Sequence, residues 1–200
     1  IIIDADIAPT LSANRTLTLK ADRDITMETN SSIAATGFAL NTILWSDTDA
    51  SEGGMAYLKT QAEIVTNGGH LWIGGGNGST TWNGLTVGDG TSIGNTNNSN
   101  GITLVKTNIQ TNGGSVAFYG KGTSGATVGV SIPISTGSST NTNGIRMHDG
   151  NSINSGSGTI YMYGFADNSN STSNSNGVEL SQTSGAGDVI TSSNNTENAI

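Results

Sequence analysis

One spacing constrains this chain more than any other property: an apolar residue, a second two positions on, and a third six positions after that. It fits Leu17, Leu19 and Ile25, and also, overlapping, Ile25, Met27 and Ile33. It returns at Ala56, Leu58, Ile64, at Leu85, Val87, Ile93 and at Ile145, Met147, Ile153. Ile102, Leu104, Ile109 is one residue shorter. A period of two places both members of the pair on one face of a strand. The third residue then heads the next strand after a turn.

A second signature follows that third residue. IVTNGGHLWIGG from Ile64, IQTNGGSVAFYG from Ile109 and INSGSGTIYMYG from Ile153 each place a Gly-rich turn before alternating apolar residues. Counted from the leading Ile, Leu71 and Ile73, Val116 and Phe118, and Ile160 and Met162 fall at equal places and are expected to point inward. A shorter version after Ile33 offers Phe38 and Leu40. The unit is therefore three short strands separated by turns, one coil of a solenoid. Asn-Gly precedes the first strand at Asn83-Gly84, Asn100-Gly101, Asn143-Gly144 and Asn176-Gly177, where a corner is expected to use positive φ.

Units begin at Ile25, Ala56, Leu85, Ile102, Ile145 and Val178, so length varies while the strand pattern holds, and insertions belong in turns. The interval from Ile102 to Ile145 contains VGVSIPIS (128–135), an extra strand or part of an extra coil, with Pro133 at an edge or bend. The fold class is all-β: a parallel β-helix with variable turn loops, a single segment over residues 1–200 without an internal domain boundary, excised from something longer. An antiparallel sandwich is the competing fold. Sandwich strands need not repeat the same alternation at matching places, and these do.

Composition decides among partners. With 7 Lys and Arg against 15 Asp and Glu, net charge −8, clustered cations for phosphate are lacking, which disfavours nucleic acid and anionic membranes. No apolar run reaches the roughly 18 residues of a membrane helix. The absence of Cys excludes disulfides and thiolate metal sites.

LTLKADRDITM (17–27), ILWSDTDASEGG (43–54), IVTNGGHLWIGGG (64–76), NGITLVKTNIQTNGG (100–114) and GSGTIYMYG (156–164) resemble the repeat regions of filamentous haemagglutinin-type exoproteins, adhesins exported by two-partner secretion. The resemblance spans roughly residues 15 to 180. It implies a right-handed helix and an extracellular or bacterial cell-surface location. The family's Asn-Pro-Asn-Leu export motif is absent, so the segment would belong to the shaft.

Glycoside hydrolysis needs two carboxylates across a cleft. Asp47 and Asp49 read as solvated loop acids, and Asp22 and Asp24, flanking Arg23, as a polar turn. His70 and His148 lack partners at metal-ligand spacing. GGGNGSTTW (74–82) has the glycines of a calcium nonapeptide without its Asp, and no Lys-Ser/Thr follows to make a phosphate loop. No catalytic, cofactor or metal residue is assigned. Trp72 and Tyr161, at equal places in two coils with Ala117 between them, are the candidates for exposed, glycan-facing aromatics; Tyr119 and Tyr163 match one another two places on.

The expected function is a non-enzymatic structural shaft of a surface adhesin or filament. Its expected partners are neighbouring coils or copies of the same protein, and a host or matrix glycan. The rivals are a self-assembling extracellular fibre and a polysaccharide-processing β-helix enzyme. Ice binding is disfavoured by irregular Thr spacing.

Overall fold

The computed structural model describes residues 1–50, 53–95, 98–123, 142–166, 175–182 and 185–195. The VGVSIPIS run and Pro133 lie outside them. All regular elements among the described residues are strands. The first coil runs through β1 (Ile2–Ile3), β2 (Asp6–Ile7) and β3 (Arg15–Lys20), the second through β4 (Ile25–Met27), β5 (Ser32–Ala34) and β6 (Leu40–Trp45). The third has β7 (Ala56–Leu58), β8 (Glu63–Val65), β9 (Leu71–Trp82), β10 (Leu85–Gly90) and β11 (Ser92–Ile93). The fourth has β12 (Ile102–Val105), β13 (Asn108–Gln110) and β14 (Val116–Gly122); the fifth has β15 (Ile145–His148), β16 (Ser152–Asn154) and β17 (Ile160–Ala166). β18 (Val178–Ser181) and β19 (Val189–Thr191) belong to a sixth.

Equivalent strands of successive coils pair in parallel, giving three sheets: β1-β4-β7-β12-β15-β18, then β2-β5-β8-β13-β16-β19, then β3-β6-β9-β14-β17 with β11 beside β14. This arrangement is compatible with a β-solenoid. Like residues sit on like. Ile7, Ile33, Ile64, Ile109, Ile153 and Ile190 form one continuous file through all six coils. Ile25, Ala56, Ile102 and Ile145 form a second, and Met27, Leu58, Leu104 and Met147 a third. Leu71, Val116 and Ile160 align as the repeat requires, as do Ile73, Phe118 and Met162. These files make one central apolar core. Parallel strands buried within such a core gain from apolar contact as well as from the ladder.

The corners explain the polar signatures. Thr66, Thr111 and Ser155 are buried, and each hydroxyl donates to the carbonyl three residues on, at Gly69, Gly114 and Gly158. A Cβ on Gly114 would collide with the Gly69 carbonyl, and one on Gly158 with that of Gly114. The glycines are there because successive coils touch backbone to backbone. The Asn-Gly corners differ from expectation. Asn100, Asn143 and Asn176 and their glycines do not have positive φ. Instead the Asn143 N–H donates to Asn100 Oδ1 at 3.0 Å and the Asn176 N–H to Asn143 Oδ1 at 3.1 Å. An amide ladder climbs the corner, satisfying the polar groups of Asn100 and Asn143, which are buried from water.

One open register is resolved and two expectations are corrected. The register uncertain between Leu17 and Ile25 resolves to Ile25, Met27, Ile33, with Leu17 and Leu19 in the third sheet on β3. Phe38 is 49% exposed, because β6 begins at Leu40 and Thr42 takes the place beside Leu71. Leu85, Val87 and Ile93 do not start a coil. β10 returns antiparallel to the distal part of β9 through Asn83 (φ 46°) and Gly84 (φ 74°). Both residues are left-handed, as a two-residue type I′ hairpin turn requires. β11 then rejoins the third sheet beside Gly120 and Lys121. The third coil therefore carries a hairpin inserted into its third strand.

Candidate functional site

The hairpin determines what the outer face of the third sheet presents. Trp72, Ala117 and Tyr161 occupy one register across β9, β14 and β17, and all three point away from the central core, as the alternation predicts. Yet Trp72 is only 1% exposed and Ala117 is buried. They belong to a second apolar cluster with Ile43, Trp45 and Val87, against which Trp82, Leu85 and Tyr119 pack. Val87 and Leu85 lie two apart on β10, and Trp82 opposes Leu85 across the hairpin, so one hairpin face supplies all three. Trp72 is thus not the exposed platform expected of it. Tyr161, beyond the hairpin's cover, remains 48% exposed.

The Gly-rich run of β9 finds its physical reason here. A Cβ on Gly74 would strike the Trp72 ring, and one on Gly88 would strike the Trp45 indole and the Gly75 carbonyl. Trp45 Nε1 donates to the Gly76 carbonyl at 2.7 Å, and Lys20 Nζ lies 3.7 Å from the Trp45 ring centre. Gly76 and Gly78 clear space for Asp89, whose Oδ1 accepts the Gly78 N–H at 3.0 Å. Bare backbone lets two indoles and a carboxylate pack where side chains would block them.

From the covered cluster a chain of rings runs outward. Centroid separations are 6.3 Å for Trp45–Trp72, 6.0 Å for Trp72–Tyr119, 5.4 Å for Tyr119–Tyr161 and 6.1 Å for Tyr119–Tyr163. These distances fall within the range of favourable aromatic pairs. Tyr119 and Tyr163 share a register, as their equal counts predict. Burial, and then the neighbouring Tyr161, raise the Tyr119 phenol above its ordinary value. A cleft of about 410 Å³ opens between the hairpin and these rings, lined by Thr80, Trp82, Asp89, Tyr119, Tyr161 and Tyr163 among others. Sequence reasoning missed it because the hairpin wall was assigned to a coil.

A second groove, of about 540 Å³, crosses the outer face of the first sheet past Tyr57, Thr103 and Arg146. Its acids are engaged: Glu28 pairs with Lys59 at 2.7 Å, and Glu179, beside the groove, lies 3.6 Å from Arg146 Nε. His148 Nδ1 lies 2.9 Å from Asp149 Oδ2. His70 sits apart from it, Nδ1 accepting the Ser115 N–H at 2.9 Å and its ring edge-on to Trp82. Burial lowers the His70 pKa. Among the described residues, no three His, Asp or Glu side chains gather as a metal site would need.

Asp22 and Asp24 act as braces. Asp22 Oδ1 accepts from Thr48 Oγ1 at 2.7 Å, and Asp24 Oδ1 from the Met55 N–H at 3.0 Å and Asn95 Nδ2 at 2.7 Å. Asp47 is not the solvated acid expected: it is 1% exposed, and its Oδ1 has no hydrogen-bond partner. Burial first, and the charge of Asp49 second, raise its pKa to about 6. Comparison with protein-family models, curated proteins and solved structures finds no match to this chain.

Proposed function

We propose that this chain is a shaft segment of a bacterial secreted or cell-surface adhesin or filament, a right-handed parallel β-helix without enzymatic activity. The observation that carries the reading is the file of six isoleucines from Ile7 to Ile190, one per coil and unbroken in register. A repeated cross-section with a constant core is what an extended spacer needs, since each coil is held by its neighbours. At about 4.8 Å per coil, six coils rise only about 25 Å, so projection from a cell would require many such segments. The engagement of Glu28 and Glu179 by cations supports the non-enzymatic reading over polysaccharide cleavage, which needs an available carboxylate pair.

Antibody labelling and protease shaving of intact producing cells, with incubation of the purified protein on acidic and neutral polysaccharides, test this. Surface-accessible epitope without release of reducing sugar is expected. An intracellular epitope, or sugar release, would overturn it.

A further inference from the structure

We propose that the cleft between the β9–β10 hairpin and the outer face of the third sheet binds a neutral oligosaccharide. Sugars present two surfaces at once: C–H faces that pack on aromatic rings, and hydroxyls that need hydrogen-bond partners. The cleft offers both. Tyr161 and Tyr163 lie two apart on β17, on one face, each 48% exposed. Tyr119 links them, its ring tilted 39° to each. Three rings thus form a stepped platform along the sheet. Trp82 stands on the hairpin side, held edge-on to His70 at 5.6 Å.

The polar rim consists of the exposed Thr80 and Thr81 and of Asp89, whose carboxylate is oriented by the Gly78 N–H. Sites of a few hundred Å³ with aromatic walls and few oriented polar groups are the usual form of small-ligand pockets.

Charge selects the sugar class. Among the described residues lining the cleft there is no Lys, Arg or His, and Asp89 is its carboxylate. The chain carries a net charge of −8. An anionic saccharide would meet repulsion with no cation to offset it, whereas a neutral one supplies hydroxyls that donate to Asp89. The platform is also preformed: Tyr119 rests on Trp72, which the hairpin holds against the sheet. Little side-chain ordering remains to oppose binding.

Calorimetric titration of the intact chain with cellotetraose, chitotetraose, maltotetraose and tetragalacturonate tests the assignment. At least one neutral probe should bind with a dissociation constant tighter than about 1 mM. Tyr161→Ala and Tyr163→Ala should each weaken it about tenfold, and Tyr161→Phe should preserve most of the affinity. Phe165→Ala, outside the cleft but equally exposed, should leave binding unchanged. Saturation transfer from aromatic protons of the unmodified chain should reach the sugar C–H protons, a readout independent of how any variant folds. Absence of binding by all three neutral probes would overturn the proposal. So would equal or tighter binding of tetragalacturonate, unchanged affinity in folded Tyr161→Ala and Tyr163→Ala, or no transfer from aromatic protons.

Discussion

Replacing Asp47 by Asn should stabilise the protein at neutral pH and leave it nearly unchanged in acid. Asp47 lies in the corner after β6, its backbone N–H donating to the Arg23 carbonyl at 3.1 Å, with φ 52°. Its Oδ1 is buried without a partner, and Asp49 adds a like charge. The folded pKa of about 6 against an ordinary 3.8 corresponds to a ceiling of about 3 kcal/mol. Because the folded state holds the proton more tightly, the penalty is absent below 3.8. It grows as pH rises between 3.8 and 6, and is complete above 6. Asn removes the charge but keeps a buried polar amide, which reduces the net gain to about 1–2 kcal/mol. Urea denaturation of parent and variant across pH 3.5 to 7.5 measures the difference. The stability difference should rise with pH through that window and then level. A difference independent of pH, or a less stable variant at pH 7, would refute the claim that this carboxylate is buried at a cost.

His70 should act in the opposite direction. Burial depresses its folded pKa below the ordinary 6.5, so stability is full above 6.5 and declines as pH falls from there through the lower folded value. In the Asp47→Asn background, His70→Gln should remove that acid-side slope in the same titration. Ile109→Ala opens a void in the middle of the six-isoleucine file and should cost about 3 kcal/mol in denaturant midpoint analysis. Gly114→Ala drives a methyl into the Gly69 carbonyl and should cost about 2 kcal/mol or more. Val87→Asp should lift the hairpin while the coils persist: acrylamide quenching of Trp fluorescence should rise sharply with little change in the far-ultraviolet dichroism.

The inward files were legible because a period of two, repeated at equal offsets from Ile64, Ile109 and Ile153, leaves one arrangement in which like stacks on like. The Asn-Gly-Gly and Ser-Gly-Ser-Gly turns were legible as turns. Their reason was not, since close contact between coils, which Gly114 and Gly158 permit, involves residues more than forty positions apart. Phe38 was misplaced because alternation does not say where a strand begins. Asp47 was misread because the local sequence SDTDAS has the polarity of an exposed loop. Tertiary packing, with that corner stacked on the Arg23 carbonyl and against Gly54, removes it from water.

The hairpin shows most clearly what periodicity leaves open. Leu85 and Val87 alternate just as Ile102 and Leu104 do, and in both cases the apolar side is covered. Alternation reports that one face of a strand is buried and is silent about which surface buries it. The discriminating signal was Asn83-Gly84 flanked by Thr80-Thr81-Trp82 and Leu85-Thr86-Val87: a two-residue turn joins antiparallel strands, whereas a coil corner must deliver the chain to a parallel neighbour. With that turn assigned to a hairpin, the two short intervals from Ala56 to Ile102 become one coil with an insertion. The outward register of Trp72, Ala117 and Tyr161 then stops being uniform. Trp72 and Ala117 lie beneath the inserted element, and Tyr161 lies past its edge. Repetition thus builds the stack of coils, and departure from repetition at one coil gives the outer face of the third sheet a walled cleft.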